Sequence, residues 1–114
     1  MRFARNNDFL VNITNDAWFK GEPQASQHFS IMTLRAVENR ISIIRSANTG
    51  ISGWVSFKGE IDKFRNNRKE VFFSGTKSFE ISLNNQRSFY NKYGEFFPFI
   101  CAIFLLGIFI RKKT

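Results

Sequence analysis

Cysteine and histidine occur once each in this chain of 114 residues, and acidic side chains are outnumbered by basic ones, 9 to 17. Each scarcity excludes something. The lone Cys101 forms no internal disulfide and rules out a multi-cysteine metal site. The lone His28 reads first as a structural residue with satisfied ring nitrogens, and only second as a ligand or base. The shortage of acid leaves a net charge of +8, which favours anionic partners such as phospholipid headgroups. Nucleic acid is not expected, because neither an aromatic-interleaved basic run nor a helix-turn-helix pattern accompanies the charge. Residues 1–7 are polar and basic and lack the apolar core of a secretory signal. No internal repeat is present, and no spacing calls for a metal or cofactor.

What is abundant is phenylalanine, 15 of 114 residues, much of it in the last third. The length allows at most one domain, and a chain of this size buries only about 60–70% of its unfolded surface. Residues 9–14 form an apolar, β-rich run between polar neighbours and are expected to be a short buried strand. A helix is expected over residues 24–39, with Phe29, Met32, Ala36 and Val37 as its buried stripe. Residues 41–46 and 51–57 are β-branched runs joined by an Asn48-Thr49-Gly50 turn. Further strands are expected at residues 60–64, 71–74 and 79–83, the last from the alternation of Phe79, Ile81 and Leu83.

Residues 96–110 are uncharged and mostly apolar. As a helix they rise about 22 Å, less than a ~30 Å hydrocarbon core, a gap that snorkelling ends and local thinning can close. Tyr90 and Tyr93 precede the run at aromatic-belt positions, and Arg111-Lys112-Lys113 follow it. The expectation is one C-terminal transmembrane helix with its basic end cytoplasmic and residues 1–90 outside. Residues 91–114 then form the junction, the membrane helix and the basic end.

Several blocks carry a family likeness. They are Asn12-Ile13-Thr14-Asn15-Asp16-Ala17-Trp18-Phe19, then Gln27-His28-Phe29, Leu34-Arg35-Ala36-Val37-Glu38 and Ile44-Arg45-Ser46-Ala47-Asn48-Thr49-Gly50-Ile51-Ser52. A last block, Ser88-Phe89-Tyr90-Asn91-Lys92-Tyr93-Gly94-Glu95, leads into the apolar tail. In this order they resemble the C-terminal half of the nitrilase-like (carbon–nitrogen hydrolase) domain of apolipoprotein N-acyltransferase, together with its last membrane helix. Lys20 stands where that family usually has glycine after Trp-Phe.

The resemblance implies an α/β fold, part of an α-β-β-α sandwich, and a bacterial inner-membrane protein whose extracytoplasmic part is periplasmic. It implies acyl transfer from phospholipid to the N-terminal cysteine amine of a lipoprotein, without metal or cofactor. The family's Glu base, Lys and Cys nucleophile all precede the segment matching residues 12–19. Residues 1–11 contain no Glu, Lys or Cys, so no catalytic residue is assigned here and enzyme activity of the chain alone is not implied. The alternatives are a non-catalytic membrane-anchored module that partners a separate N-terminal half, and an amidase fragment.

Trp18 and Phe19 follow the first strand, where ligands gather in α/β architectures, and the resemblance gives them, with Asn15 and His28, a substrate-binding role. The bland readings are core packing for the aromatics and turn capping for Asn15-Asp16. Glu38 and Arg45 are read as structural, through a partly buried ion pair between them. Asn48 and Gly50 are read as a structural turn, with Gly50 supplying an unusual backbone angle. Cys101 is read as an inert thiol in apolar surroundings.

Overall fold

The structure is a computed structural model that describes residues 4, 6–18, 21–94 and 96–113, with the side chains of Glu22 and Lys113 left aside. Its elements run β1 (Phe9–Thr14), α1 (Glu22–Asn39), β2 (Ser42–Ala47), β3 (Gly53–Val55), β4 (Ile61–Lys63), α2 (Phe89–Tyr93) and α3 (Phe97–Lys113). The four strands form one mixed sheet in the order β1-β2-β3-β4. β1 and β2 are parallel, Phe9 beside Ser42 through Thr14 beside Ala47, and α1 is the crossover that parallel pairing requires. β2, β3 and β4 form an antiparallel meander.

α1 starts two residues before the expected position, because Pro23 in its first turn supplies a preset φ where no N–H is needed. It ends at Arg40, which adopts a left-handed conformation (φ 52°) and donates its N–H to the carbonyls of Ala36 and Val37. Ala25, Phe29, Met32 and Ala36 project from one face at helical spacing and pack with Ile41, Ile43, Ile51 and Val55. Val37, expected in that stripe, is 46% exposed, because it falls at the margin of the face that meets the sheet.

β1 has the expected bounds but is not buried. Phe9, Val11 and Ile13 are all exposed. The register puts them on one face with Ser42 and Ile44, opposite α1. Among the described residues β1 is the sheet edge, and no second sheet covers this face. The described architecture is therefore one helix layer on one sheet, two of the four layers of the expected sandwich.

Residues 71–74 and 79–83 form no strands. The segment instead crosses the sheet face opposite α1 through side-chain contacts. Ser42 Oγ donates to the Ser82 carbonyl at 2.6 Å, Lys77 Nζ reaches Asp62 Oδ1 at 2.6 Å, and Phe73 meets Phe64 edge to face at 4.9 Å. Phe79 and Ile81 are half-buried, but Leu83 is exposed, so the alternation that predicted a strand describes a covering segment.

α3 carries the apolar tail. Every described side chain on it is exposed. Its 17 residues rise about 25 Å, and among the described residues no helix is long and apolar enough to cross a membrane. The expected transmembrane span is to that extent corrected: the helix is present, and it is short.

Candidate functional site

The C-terminal ends of β1 and β2 lie side by side, and the parallel register brings the residues after them together. At the centre is Asp16, 1% exposed. Arg45, on β2, is 3% exposed and places Nη2 at 2.8 Å from Asp16 Oδ2. Thr14 Oγ1 donates to Asp16 Oδ1 at 3.1 Å. His28, one turn into the body of α1, sets Nδ1 at 3.2 Å from Asp16 Oδ1 and 2.9 Å from Arg45 Nη2. That single nitrogen either accepts from the guanidinium or, carrying a proton, donates to the carboxylate.

The loops are tied to the same centre. The Asp16 N–H donates to Asn48 Oδ1 at 3.0 Å, and Asn48 Nδ2 donates to Asn15 Oδ1 at 2.8 Å. Asn15 Oδ1 also accepts the Ala17 N–H at 3.0 Å, and Asn48 Oδ1 accepts that of Thr49 at 2.9 Å. Gly50 is required by space. A Cβ there would sit 2.1 Å from Asp16 Oδ2, a closeness no side chain tolerates. Its role is close approach, and it is not among the glycines with positive φ.

Burial pushes the Asp16 carboxyl up, but the hydrogen bond and charge of Arg45, with help from Thr14 and His28, outweigh it and hold the carboxyl below its ordinary range. The ion pair is thus the ionised form at neutral pH. One atom stays unsatisfied: Arg45 Nε is buried without a hydrogen-bond partner. An arrangement of this kind fixes the two strand ends and the loops leaving them. Among the described residues no group of three or more His, Cys, Asp or Glu side chains is placed to hold a metal.

The structure brings Asn15, His28, Arg45, Asn48 and Gly50 into one cluster. Trp18 leaves it and is 84% exposed, so it neither packs in the core nor lines a cavity here. Phe19 lies outside the described residues. The expected Glu38–Arg45 pair is not formed: Glu38 binds Arg35 at 2.8 Å on the surface of α1, and Arg45 takes Asp16. Glu38 sits in the last turn of α1 on its exposed side, away from the stripe that meets β2. Asp16 was read as a turn cap and is the residue the sequence reading missed. The signal for it was Arg45 itself, since a cation in a buried strand needs a carboxylate. Cys101 lies exposed on α3.

A cleft of about 600 Å³ opens beside this cluster on the sheet face opposite α1. Ile44, Asn48, Phe64, Phe73 and Lys77 are among its walls.

Among the described residues the sheet thus carries a charged clip at its strand ends and an exposed apolar edge strand at β1. No family model matches the sequence, but individual relatives do. Over most of its length the chain is a homologue of the apolipoprotein N-acyltransferases. It is 39% identical over 108 residues to the apolipoprotein N-acyltransferase of Geobacter metallireducens, covering 92% of this chain and 20% of that protein. It is 33% identical over 116 residues to that of Haemophilus ducreyi, covering 98% of this chain and 22% of the relative. Over 56 residues it is 55% identical to that of Sinorhizobium medicae. The chain spans about a fifth of the length of the first two of these relatives.

Proposed function

We propose that this chain forms the C-terminal part of an apolipoprotein N-acyltransferase: a piece of its nitrilase-like sandwich, one side of its substrate pocket and its last membrane-seated helix. The observation that carries this reading is homology over nearly the whole chain to about one fifth of such enzymes. The exposed apolar side chains of β1 and the exposed apolar α3 support it, since large exposed apolar patches mark surfaces that pack against something else. An amidase fragment leaves α3 without a purpose.

The reaction is acyl transfer in two steps. A thiolate attacks the phospholipid ester, giving a thioester and a lysophospholipid. The α-amine of the lipoprotein's N-terminal cysteine then opens the thioester, giving an amide and regenerating the thiol. The nucleophile, base and oxyanion-stabilising lysine come from the remainder of the enzyme. This chain contributes position. The Asp16–Arg45 clip holds the loop that carries Trp18 and Phe19, and Trp18 becomes pocket wall once the other half is present. α3 sits in the bacterial inner membrane, with the sheet on the periplasmic side and Arg111 and Lys112 at the cytoplasmic surface. A helix of this length is accommodated by thinning of the bilayer and snorkelling of the basic end.

The test is reconstitution. The N-terminal four fifths of the Geobacter metallireducens relative are co-expressed with this chain, and acylation of a lipopeptide amine is followed by mass spectrometry. Activity is expected only with both pieces, and Asp16→Asn or Trp18→Ala in this chain lowers it. Activity of the N-terminal piece that is indifferent to this chain, or a thioester on Cys101 formed by this chain alone, refutes the proposal.

A further inference from the structure

A second cleft lies at the far end of α1 from the Asp16 cluster. Arg40, Lys58, Asn84, Gln86 and Phe57 line about 330 Å³ of open space. The carbonyls at a helix C-terminus carry partial negative charge and would repel an anion. Here donors already hold them. The N–H groups of Arg40 and Ile41 and the side chains of Asn39 and Ser88 bond the carbonyls of residues 35–38. Asn84 Nδ2 bonds the Arg40 carbonyl at 3.1 Å.

Among the described residues neither cation of the cleft is in an ion pair. The described carboxylates with ion pairs use other partners: Glu38 with Arg35, Asp62 with Lys77, Glu70 with Lys63 and Arg65, Asp16 with Arg45. Lys58 lies 5.6 Å from the Phe57 ring and has no ion pair among the described residues, nor has Arg40.

Gln86 is two residues before Ser88, the N-cap of α2. The Phe89 ring on α2 meets Tyr93 in a tilted contact at 4.5 Å and Phe96 edge to face at 5.1 Å, where the chain turns into α3. Phe89, Tyr93, Phe96 and Phe97 are all exposed. Aromatic side chains gathered at the foot of an apolar helix mark the depth of the membrane–water interface. The chain leading into that cluster forms one wall of the cationic cleft.

We propose that this cleft holds the phosphate of an anionic phospholipid headgroup. Arg40 and Lys58 supply the charge, and the Gln86 amide supplies a hydrogen bond. The inference rests on the reading that α3 sits in a membrane. It adds a headgroup site on this chain at the opposite end of α1 from the Asp16 cluster.

The experiment is flotation of the full chain with vesicles of phosphatidylcholine alone and of phosphatidylcholine mixed with phosphatidylglycerol. α3 brings the chain to both, and the cleft adds a preference for the anionic vesicles. Arg40→Gln with Lys58→Gln reduces that preference by about fivefold per charge removed. Arg68→Gln with Lys69→Gln removes the same charge outside the cleft and reduces it far less. Lys58→Gln alone, on an exposed turn, reduces it by about fivefold without touching α1. Inorganic phosphate, added at constant ionic strength, leaves the preference of the unmodified chain in place.

Equal losses in the two double variants assign the preference to diffuse charge and overturn the proposal. So does competition by inorganic phosphate, which assigns the cleft to the free ion. Binding to both vesicles without preference overturns the headgroup site alone. Flotation with neither overturns the membrane reading and the site together.

Discussion

Replacing Asp16 with Asn keeps the shape of the side chain and removes its charge. Arg45, 3% exposed, would then be a buried cation facing an amide and a half-buried histidine. Breaking a buried ion pair by neutralising one partner costs about 3–5 kcal/mol, because the remaining charge is uncompensated. Arg45 already has one unsatisfied nitrogen, Nε, so little in its surroundings can absorb the loss. The assay is amide hydrogen exchange of β1 and β2 in the full chain, which reads local opening even where global unfolding is not two-state. A loss of 3 kcal/mol or more lowers protection at the Ile44 and Arg45 amides by at least about a hundredfold, since 1.36 kcal/mol is a factor of ten.

The companion variant Arg45→Met removes the other charge. The double variant should lose much less than the sum of the two singles. The acid limb gives a second reading. The folded carboxyl lies below its ordinary value of 3.8, so its contribution is complete above that value and is lost as pH falls through the folded pKa. In Asp16→Asn the acid limb is correspondingly shallower. A fall in protection of less than about fivefold, roughly 1 kcal/mol, or strict additivity in the cycle, refutes the claim that the pair fixes the strand ends.

Three further outcomes are expected. Gly50→Ala drives a methyl into the Asp16 carboxylate and costs about 1–3 kcal/mol, read as lost protection of the same amides; an unchanged β1–β2 pattern contradicts the close approach. Leu105→Lys with Leu106→Lys releases the chain from membranes into carbonate, each lysine costing about 2.5–3.5 kcal/mol near a helix centre; retention of the variant in the pellet counts against α3 as the anchor. Ile13→Lys, at a position 83% exposed on the edge strand, lowers self-association of the purified chain in light scattering without loss of helicity; unchanged aggregation means that β1 is not the adhesive surface.

Local order was legible in the sequence where periodicity and boundaries are local. The bounds of β1 and three of the four expected stripe residues, Phe29, Met32 and Ala36, follow from spacing, and the Asn48-Thr49-Gly50 turn follows from composition. What depended on distant partners was not legible. The Asp16–Arg45 bond joins residues 29 positions apart, and only the parallel register decides that Arg45 meets Asp16 and not Glu38. The apolar run of β1 was read as burial, but Phe9, Val11 and Ile13 are exposed among the described residues. Phe79, Ile81 and Leu83 alternate as a strand does, but their neighbours are side chains and not a ladder. Trp18 and Phe19 were singled out through family likeness, and Trp18 projects from the described cluster.

The two ends of the sheet differ in what they permit. β1 is six residues long, pairs with β2 along one edge and, among the described residues, leaves its other edge open, with apolar side chains beside it. β4 is three residues long, and its Asp62 and Lys63 are tied to Lys77 and Glu70. Short length and fixed charge discourage a strand from adding there. Growth of this sheet therefore has a direction. Any neighbour that extends it joins at β1, on the side where the Asp16 clip has already set the height of the strand end. The register of the added strand is thereby tied to the geometry of the cluster, so a substitution at Asp16 would misalign what docks as well as loosen what is there.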